Sequence, residues 1–145
     1  MNAEELWKLS GLEGDYEAWK FGEACDELSD LVKRGIKTAT SSSYLNYLAK
    51  EEKVPQAGDH SVILNSNDEA VCIIETIRVD ILPFKDVDAA FAYLEGENDR
   101  SLEDWRRVHQ AFFTKELKRI HREFDEDIPV VCEVLCLIET APDKK

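Results

Sequence analysis

No stretch of the chain approaches the roughly 20 consecutive apolar residues that a membrane-spanning helix needs. Residues 1–19, MNAEELWKLSGLEGDYEAW, carry acidic side chains from the start and lack the apolar segment of a signal peptide. We therefore expect a cytoplasmic protein that makes no contact with a membrane.

Cysteine is also scarce, and its positions do not suit a metal site. The four cysteines are Cys25, Cys72, Cys132 and Cys136, and no two of them form a CxxC pair. Three of them stand in apolar, strand-like segments, where cysteine usually packs as a small buried side chain. In a reducing compartment the thiols stay free, so the sequence predicts neither a zinc site nor a structural disulfide.

The chain has few positively charged residues. It contains 31 Asp and Glu but only 18 Lys and Arg, which gives a net charge of −13. Such a chain is poorly suited to non-specific binding of nucleic acid, because phosphate contacts require cations. The charge is uneven, however. Between Arg100 and Arg122 seven cations accompany three acids, which gives +4 there and −17 over the remainder. A basic face on an acidic body suits a short or small ligand better than a long duplex.

The remaining composition is that of a folded domain. Apolar residues make up 43% of the 145 residues and charged residues 34%, a balance and a length that favour one domain with one core. Helices are predicted over 3–9, 24–34, 41–53, 86–96 and 101–124. Strands are predicted over 37–41, 60–65, 70–82 and 130–140. Because helices and strands do not alternate regularly, this order predicts an α+β fold, with a small bent sheet or barrel flanked by helices.

The polar segment RGIKTATSSS joins two predicted helices through a short strand. Gly35 is placed for the left-handed residue that ends the first helix, and Ser41 or Ser42 is the expected N-cap of the second. In a straight strand Lys37 and Thr40 would point to opposite faces, so they can share one site only if the chain bends near them.

Four motifs follow one another along the chain. They are GxKxxT (Gly35, Lys37, Thr40), the PF pair after the longest strand (Pro83, Phe84), an EGExD-like loop (Glu95, Gly96, Glu97, Asp99) and WRxxHxxFF (Trp105, Arg106, His109, Phe112, Phe113). With AWKFG at 18–22 and VVCEV at 130–134, they closely resemble the longer bacterial subfamily of ASCH-domain proteins over roughly residues 14–138. The resemblance implies a PUA-like β-barrel, with a single domain over 1–145 and a short N-terminal helical extension over 1–15.

The resemblance also implies a function. It implies binding of RNA, or of a nucleoside- or nucleotide-like small molecule, in a cleft around GxKxxT, since the family's members are described as predicted RNA-binding proteins. Some relatives look like ribonucleases, and a smaller bacterial branch comprises amidohydrolases that act on acetylated cytidine with a Lys–Thr–Glu set. Carried onto this chain, that set is Lys37, Thr40 and a glutamate of the EGEND loop, with Glu97 the first choice and Glu95 the alternative. Binding and catalysis both stay open at this point.

Side-chain chemistry offers Lys37 two roles beside that of an exposed lysine. Its ammonium could hold a phosphate or a carbonyl, or it could act as a base if Lys33 and Arg34 lowered its pKa. Thr40 would be a nucleophile, a hydroxyl ligand or only a helix cap. Glu97 would orient Lys37 or accept a hydrogen bond from the exocyclic amine of a base.

Four further residues complete the predicted site. Trp19 is the preferred platform for stacking on a base, with Phe21, Tyr44 and Tyr47 as further candidates. Ser42 is the serine expected to face the cleft. Arg106 would contact phosphate, or it is simply an exposed arginine. His109 would act as an acid–base group, or it is a hydrogen-bonded histidine at the edge of the core. No cofactor or metal is expected to be required. A divalent ion held weakly at the acidic loop is compatible with the sequence, but the spacing of its acids does not match a calcium loop.

Overall fold

The computed structural model describes residues 1–142, which form five α-helices and five strands. The helices are α1 (Ala3–Ser10), α2 (Cys25–Lys33), α3 (Tyr44–Ala49), α4 (Ala89–Glu95) and α5 (Leu102–Lys118), with a 3-10 helix at Phe84–Asp86. The strands are β1 (Glu17–Trp19), β2 (Ala39–Ser43), β3 (His60–Leu64), β4 (Ala70–Pro83) and β5 (Pro129–Thr140). No helix within this described range combines the length and the apolar character that crossing a membrane would require.

The five strands form one curled sheet, a half-barrel, in the order β1-β3-β4-β5-β2. Strand β1 runs parallel to β3, and the other neighbours are antiparallel. The register of β4 and β5 shifts between Ile73 and Ile74 and again between Thr76 and Arg78. Bulges bend a strand and increase its twist, so these two long strands can curl around the core. The predicted α+β fold, a bent sheet flanked by helices, is confirmed.

The buried apolar residues form three clusters around this sheet. In one, α5 contributes Trp105, Phe113 and Leu117, which are buried with Phe84 and the start of β5. In a second, α1 buries Leu6 against residues of β3 and β4, and a third surrounds Ile63 and Ile74. Each fully buried apolar side chain of this size stabilises the fold by roughly 1.5–3 kcal/mol. The packing of α5 matters most for function, because the same helix forms one wall of the candidate site.

Two local differences from the sequence-based expectations have clear causes. Strand β1 was not predicted, because Glu17–Trp19 has no apolar alternation and is a strand through its parallel pairing with residues 61–63. The helix predicted over 41–53 begins only at Tyr44, because residues 39–43 pair with β5. Ser43 therefore occupies the N-cap position, and the expectation of Ser41 or Ser42 as the cap is wrong. The other predicted elements are present with ends shifted by a few residues, except that α5 already ends at Lys118.

A carboxyl group is also buried within the sheet. Glu133 of β5 is only 6% exposed, and Thr76 Oγ1 donates a hydrogen bond to its Oε2 at 3.2 Å. Burial raises the pKa of Glu133 to about 7, and the hydrogen bond from Thr76 offsets only part of that effect. The pKa of Glu133 is thus higher in the folded protein than the ordinary value of 4.5. The protonated side chain therefore contributes its full stabilisation below pH 4.5, and this contribution is lost as the pH rises towards 7.

We expect Glu133→Gln to remove this pH dependence, because the amide stays uncharged at every pH. Between pH 5 and pH 8 the free energy of unfolding of the variant should rise by about 2–3 kcal/mol relative to that of the unmodified protein. Urea unfolding followed by circular dichroism at several pH values measures the difference. Glu139→Gln on the same strand is the matched control. Parallel pH profiles for Glu133→Gln and the unmodified protein would contradict the prediction.

Candidate functional site

A cavity of about 190 Å³ opens between α2, α5, β2 and the loop that follows α4. Its walls are apolar and include Phe21, Leu28, Val108 and Phe112. Its polar lining consists mainly of Lys37, Thr40, Ser41, Glu95, Glu97 and His109. An apolar pocket with a few convergent polar groups is the usual form of a small-molecule site.

Two glycines bring Lys37 against the loop after α4. Gly35, with φ of 74°, follows α2, and the amide groups of Ile36 and Lys37 then donate to the Leu31 carbonyl at 3.0 and 3.1 Å. Gly96 has φ of 70°, and a Cβ at this position would collide with the carbonyl oxygen of Ile36. The loop after α4 can therefore approach the backbone of Ile36 and Lys37 this closely only because Gly96 has no side chain.

Lys37 is the buried cation at the polar end of the cavity. It is 2% exposed, and its Nζ donates to Glu97 Oε2 at 2.7 Å, to Glu95 Oε1 at 3.0 Å and to the Glu95 carbonyl at 3.4 Å. The Phe21 ring centre lies 5.5 Å from the same Nζ. An ammonium has three N–H donors, and these three contacts use all of them. Lys37 is thus satisfied by the protein before any ligand arrives.

Glu95 is the other half of this buried pair, at 1% exposure. Its Oε1 accepts from Lys37, while its Oε2 accepts from Ser41 Oγ at 2.7 Å and from Trp105 Nε1, and lies 3.4 Å from His109 Nε2. Helix α4, strand β2 and helix α5 therefore converge on one carboxylate. A buried charge needs such complete pairing, because an unpaired one costs several kcal/mol.

His109 is fixed by two contacts with Trp105. The imidazole stacks on the indole with ring centres 4.3 Å apart, and Nδ1–H donates to the Trp105 carbonyl at 2.9 Å. Because a carbonyl only accepts, this bond places a proton on Nδ1 and directs Nε2 towards Glu95.

The pKa values of these groups follow from their mutual attraction. Burial by itself lowers the pKa of Lys37, but Glu95 and Glu97 outweigh it and the pKa is raised. Burial likewise opposes the charged form of His109, and the Glu95 carboxylate raises the pKa above its ordinary value. Burial would raise the pKa of Glu95, but the charges of Lys37 and His109 hold it well below its ordinary range. The expectation that nearby cations lower the pKa of Lys37 is therefore wrong, since Lys33 and Arg34 do not determine it.

Five of the predicted site residues meet in this cavity: Lys37, Thr40, Glu95, Glu97 and His109. Lys37 and Thr40 can share it because β2 begins only at Ala39, so Lys37 precedes the strand instead of alternating within it. Within residues 1–142, however, no hydrogen bond joins Thr40 to Lys37. Glu95 and Glu97 both contact Lys37, with Glu95 fully buried and the Glu97 side chain 19% exposed.

The structure does not bring Trp19, Ser42 and Arg106 into the lining. Trp19 packs at the edge of the cluster around Ile63 in the sheet. Ser42 lies 3.0 Å from the Tyr47 hydroxyl, because the alternation of β2 turns its neighbour Ser41 towards Glu95. Arg106 is exposed and donates to a backbone carbonyl at 3.3 Å, since it lies one residue, about 100° around α5, from Trp105. These three residues therefore do not line this cavity, in contrast to the prediction that they share one cleft with Lys37.

Several residues of the site were missed by the sequence analysis or given another role, among them Ser41, Trp105 and Phe112. Ser41 and Trp105 hold Glu95, although the sequence suggested a solvent or capping serine and a core tryptophan. Phe21 and Phe112 form walls of the cavity. Phe21 was among the candidate stacking platforms that the sequence offered beside Trp19. Phe112 stands inside WRxxHxxFF, but nothing in the sequence separates a wall residue from a core residue.

Glu95, Glu97 and His109 offer ligand atoms within 4.8 Å of one another, which is close enough to hold a divalent ion. The Lys37 ammonium already contacts both carboxylates from within this group. A metal ion would have to displace that cation, so the arrangement is a poor fit for a resident metal.

The Lys37–Glu95 pair should be essential for stability. Lys37→Met removes the charge and leaves Glu95 buried without its main partner, which should cost about 3–5 kcal/mol in the free energy of unfolding. Adding Glu95→Gln should recover part of this loss, with a coupling of about 1–3 kcal/mol in a double-mutant cycle measured by urea unfolding. Lys115→Met, which removes an exposed lysine from an ion pair, should cost about 1 kcal/mol or less. Equal losses for the two lysine variants would contradict this account.

Comparison with known proteins agrees with the fold and the motifs. A family model for the ASCH domain matches residues 17–139. The crystal structure of an ASCH domain from Lactobacillus crispatus JV V101 is similar, with a TM-score of 0.86 and 28% identity over 94% of this chain and 93% of that chain. A protein from Enterococcus faecalis V583 gives a TM-score of 0.85 and 32% identity over 94% of this chain and 85% of its own. No curated protein matches. The chain therefore belongs to the ASCH domain family, and its PUA-like fold is the one that the sequence motifs predicted.

Proposed function

We propose that this protein binds single-stranded RNA by accepting one unpaired base into the cavity beside Lys37. The ASCH family is thought to bind RNA, and single-stranded RNA is commonly recognised through splayed-out bases that contact aromatic side chains. Phe21 and Phe112 supply such aromatic walls here. One observation carries the proposal. At the polar end of this cavity Glu97 can accept a hydrogen bond from a ligand, whereas the donors of Lys37 are already bound by Glu95 and Glu97.

Glu97 is the group available to the ligand. Its Oε2 is bound by Lys37, while its Oε1 has no hydrogen-bond partner within residues 1–142 and its side chain is 19% exposed. Glu95, by contrast, is bonded at both oxygens and almost wholly buried. A carboxylate oxygen accepts well from an exocyclic amine, such as that of cytosine. Glu97 is thus suited to select a base that carries an amine.

The negative charge of the cavity disfavours the binding of a phosphate at its polar end, beside Lys37. Four carboxylates border it, from Glu23, Glu27, Glu95 and Glu97, against the two cationic groups of Lys37 and His109. The donors of Lys37 are already used, so that lysine is not free to bind a phosphate. A neutral base with hydrogen-bond donors fits this environment better than an anionic group.

A hydrolase, either a ribonuclease or an amidohydrolase on acylated cytidine, is the alternative that the sequence raised. The raised pKa of Lys37 keeps the ammonium protonated, which is the opposite of what a lysine base requires. Thr40 also lacks the contact with Lys37 that activation as a nucleophile would need. These observations favour binding over the Lys–Thr–Glu mechanism.

The proposal predicts a preference among short homopolymeric RNAs. Oligo(C) should bind more tightly than oligo(U), because uracil has no exocyclic amine for Glu97. Glu97→Gln should weaken the binding of oligo(C) by about tenfold or more and should reduce the preference. Fluorescence anisotropy with labelled oligonucleotides measures both effects.

The matched control is Glu13→Gln, which removes an exposed carboxylate outside the cavity. It should leave the affinity for oligo(C) unchanged. The same samples, with and without Mg²⁺ or Mn²⁺, are assayed for cleaved RNA and for acetate released from N-acetylated cytidine. Equal binding of oligo(C) and oligo(U), or full affinity in Glu97→Gln, would refute the proposal, and turnover of either substrate would favour the hydrolase.

A further inference from the structure

The wall that α5 gives to the cavity continues along the helix as a row of cations. Val108 and Phe112 line the cavity, and Lys115 and Arg119 follow at spacings of three and four residues. Side chains at these spacings lie on one face of a helix. Arg119 keeps helical backbone angles, with φ of −64° and ψ of −20°, so this face persists to the end of α5.

Three exposed cations at this end of α5 form what we call the cation stripe: Lys115, Lys118 and Arg119. Lys115 and Arg119 lie on the face of Phe112, and Lys118 follows Lys115 by one turn, about 100° around the helix from Arg119. Two of them take part in ion pairs, Lys115 with Glu23 at 3.2 Å and Arg119 with Glu116 at 3.7 Å. For Lys118 no ion pair is found among the described residues. Both side chains of the Lys115–Glu23 pair are exposed, and such pairs contribute about 1 kcal/mol or less, so a phosphate can replace Glu23 at low cost. In the second pair Arg119 is 68% exposed and Glu116 20%, and their separation of 3.7 Å leaves the guanidinium open to a further anion.

The stripe begins at the cavity itself. Glu23, which pairs with Lys115, is one of the residues that line the cavity. From Phe112 to Arg119 the helix rises about 10 Å, which is short enough for one strand to contact both. The molecule therefore separates its charges: the cavity is rich in carboxylates, and the adjoining end of α5 is rich in cations.

We propose that the cation stripe of Lys115, Lys118 and Arg119 binds the phosphates of the strand whose base occupies the cavity. This inference rests on the proposed RNA-binding function and adds to it a phosphate path outside the cavity. A net charge of −13 disfavours an anionic ligand in general. Such a ligand can still bind if its phosphates contact the basic end of α5 while its base enters the acidic cavity. A free nucleoside has no phosphate and gains nothing from the stripe.

The test compares two double variants that lower the positive charge equally. Lys118→Ala/Arg119→Ala removes two cations of the stripe, and Lys8→Ala/Arg78→Ala removes two exposed cations on α1 and β4. The affinity for a short oligo(C) is measured by fluorescence anisotropy over a series of salt concentrations. The stripe variant should bind about tenfold more weakly at low salt, and the slope of log affinity against log salt should become shallower by about 1.4, or 0.7 for each lost contact. The control should retain the slope of the unmodified protein.

The outcomes separate this inference from the proposed function. If oligo(C) binding depends on Glu97 but the stripe variant behaves as the control does, the phosphate path is wrong and base binding stands. If the protein does not bind oligo(C), or binds it independently of Glu97, both proposals fail. Equal losses in the two double variants would indicate a general charge effect and would also overturn the phosphate path.

Glu23 provides an independent test, because it competes with phosphate for Lys115. Glu23→Gln should tighten the binding of oligo(C) several-fold and make its salt dependence steeper, since Lys115 becomes free and one negative charge leaves the cavity mouth. Glu13→Gln removes the same charge from a distant exposed position and should have little effect. Unchanged or weaker binding in Glu23→Gln would show that Lys115 does not contact phosphate.

Discussion

The buried ion pair between Lys37 and Glu95 is the interaction on which the rest of the site depends. Two nearly inaccessible charges can persist only if their hydrogen-bonding groups are satisfied, and here this requires three elements. Strand β2 supplies Ser41, and helix α5 supplies Trp105 and His109. The close approach at Gly96 brings the carboxylate to the lysine. Loss of any of these contacts would leave part of a buried charge without a hydrogen-bond partner, so the pair fixes the relative positions of the sheet and the helices.

Because of this pairing, Lys37 is not available for the roles that its motif suggests. A single lysine in a conspicuous motif suggests a phosphate ligand or a base, but all three donors of Lys37 are used within the protein. In the proposed function, the ligand is therefore recognised through its hydrogen-bond donors by Glu97, and not as an anion by Lys37. The cations that would contact phosphate lie outside, at the end of α5. The division between an acidic cavity and a basic rim is a property of the folded molecule and not of its net charge.

Much of the fold could be predicted because its signals are local. The β-branched run of β4, the amphipathic stripe of α5 and the position of Gly35 each depend on the residues of one segment. Strand β1 was missed because its three residues are extended only through pairing with β3. The hydroxyl-rich segment was misassigned in part, because pairing with β5 outweighed the capping preference of serine.

The sequence by itself determined which motifs are present and the α+β class, and it predicted that Lys37, Glu95, Glu97 and His109 lie together, as they do in the lining of the cavity. Composition also determined that any anionic ligand must find a local basic surface. Only the tertiary structure decided which of these groups are free to act. Whether a lysine is protonated, and whether its donors are available, depends on side chains about 60 residues away in the sequence, such as Glu95 and Glu97. Local spacing cannot show that Ser41 and Trp105 share one carboxylate, because that contact exists only when β2, α4 and α5 have packed together.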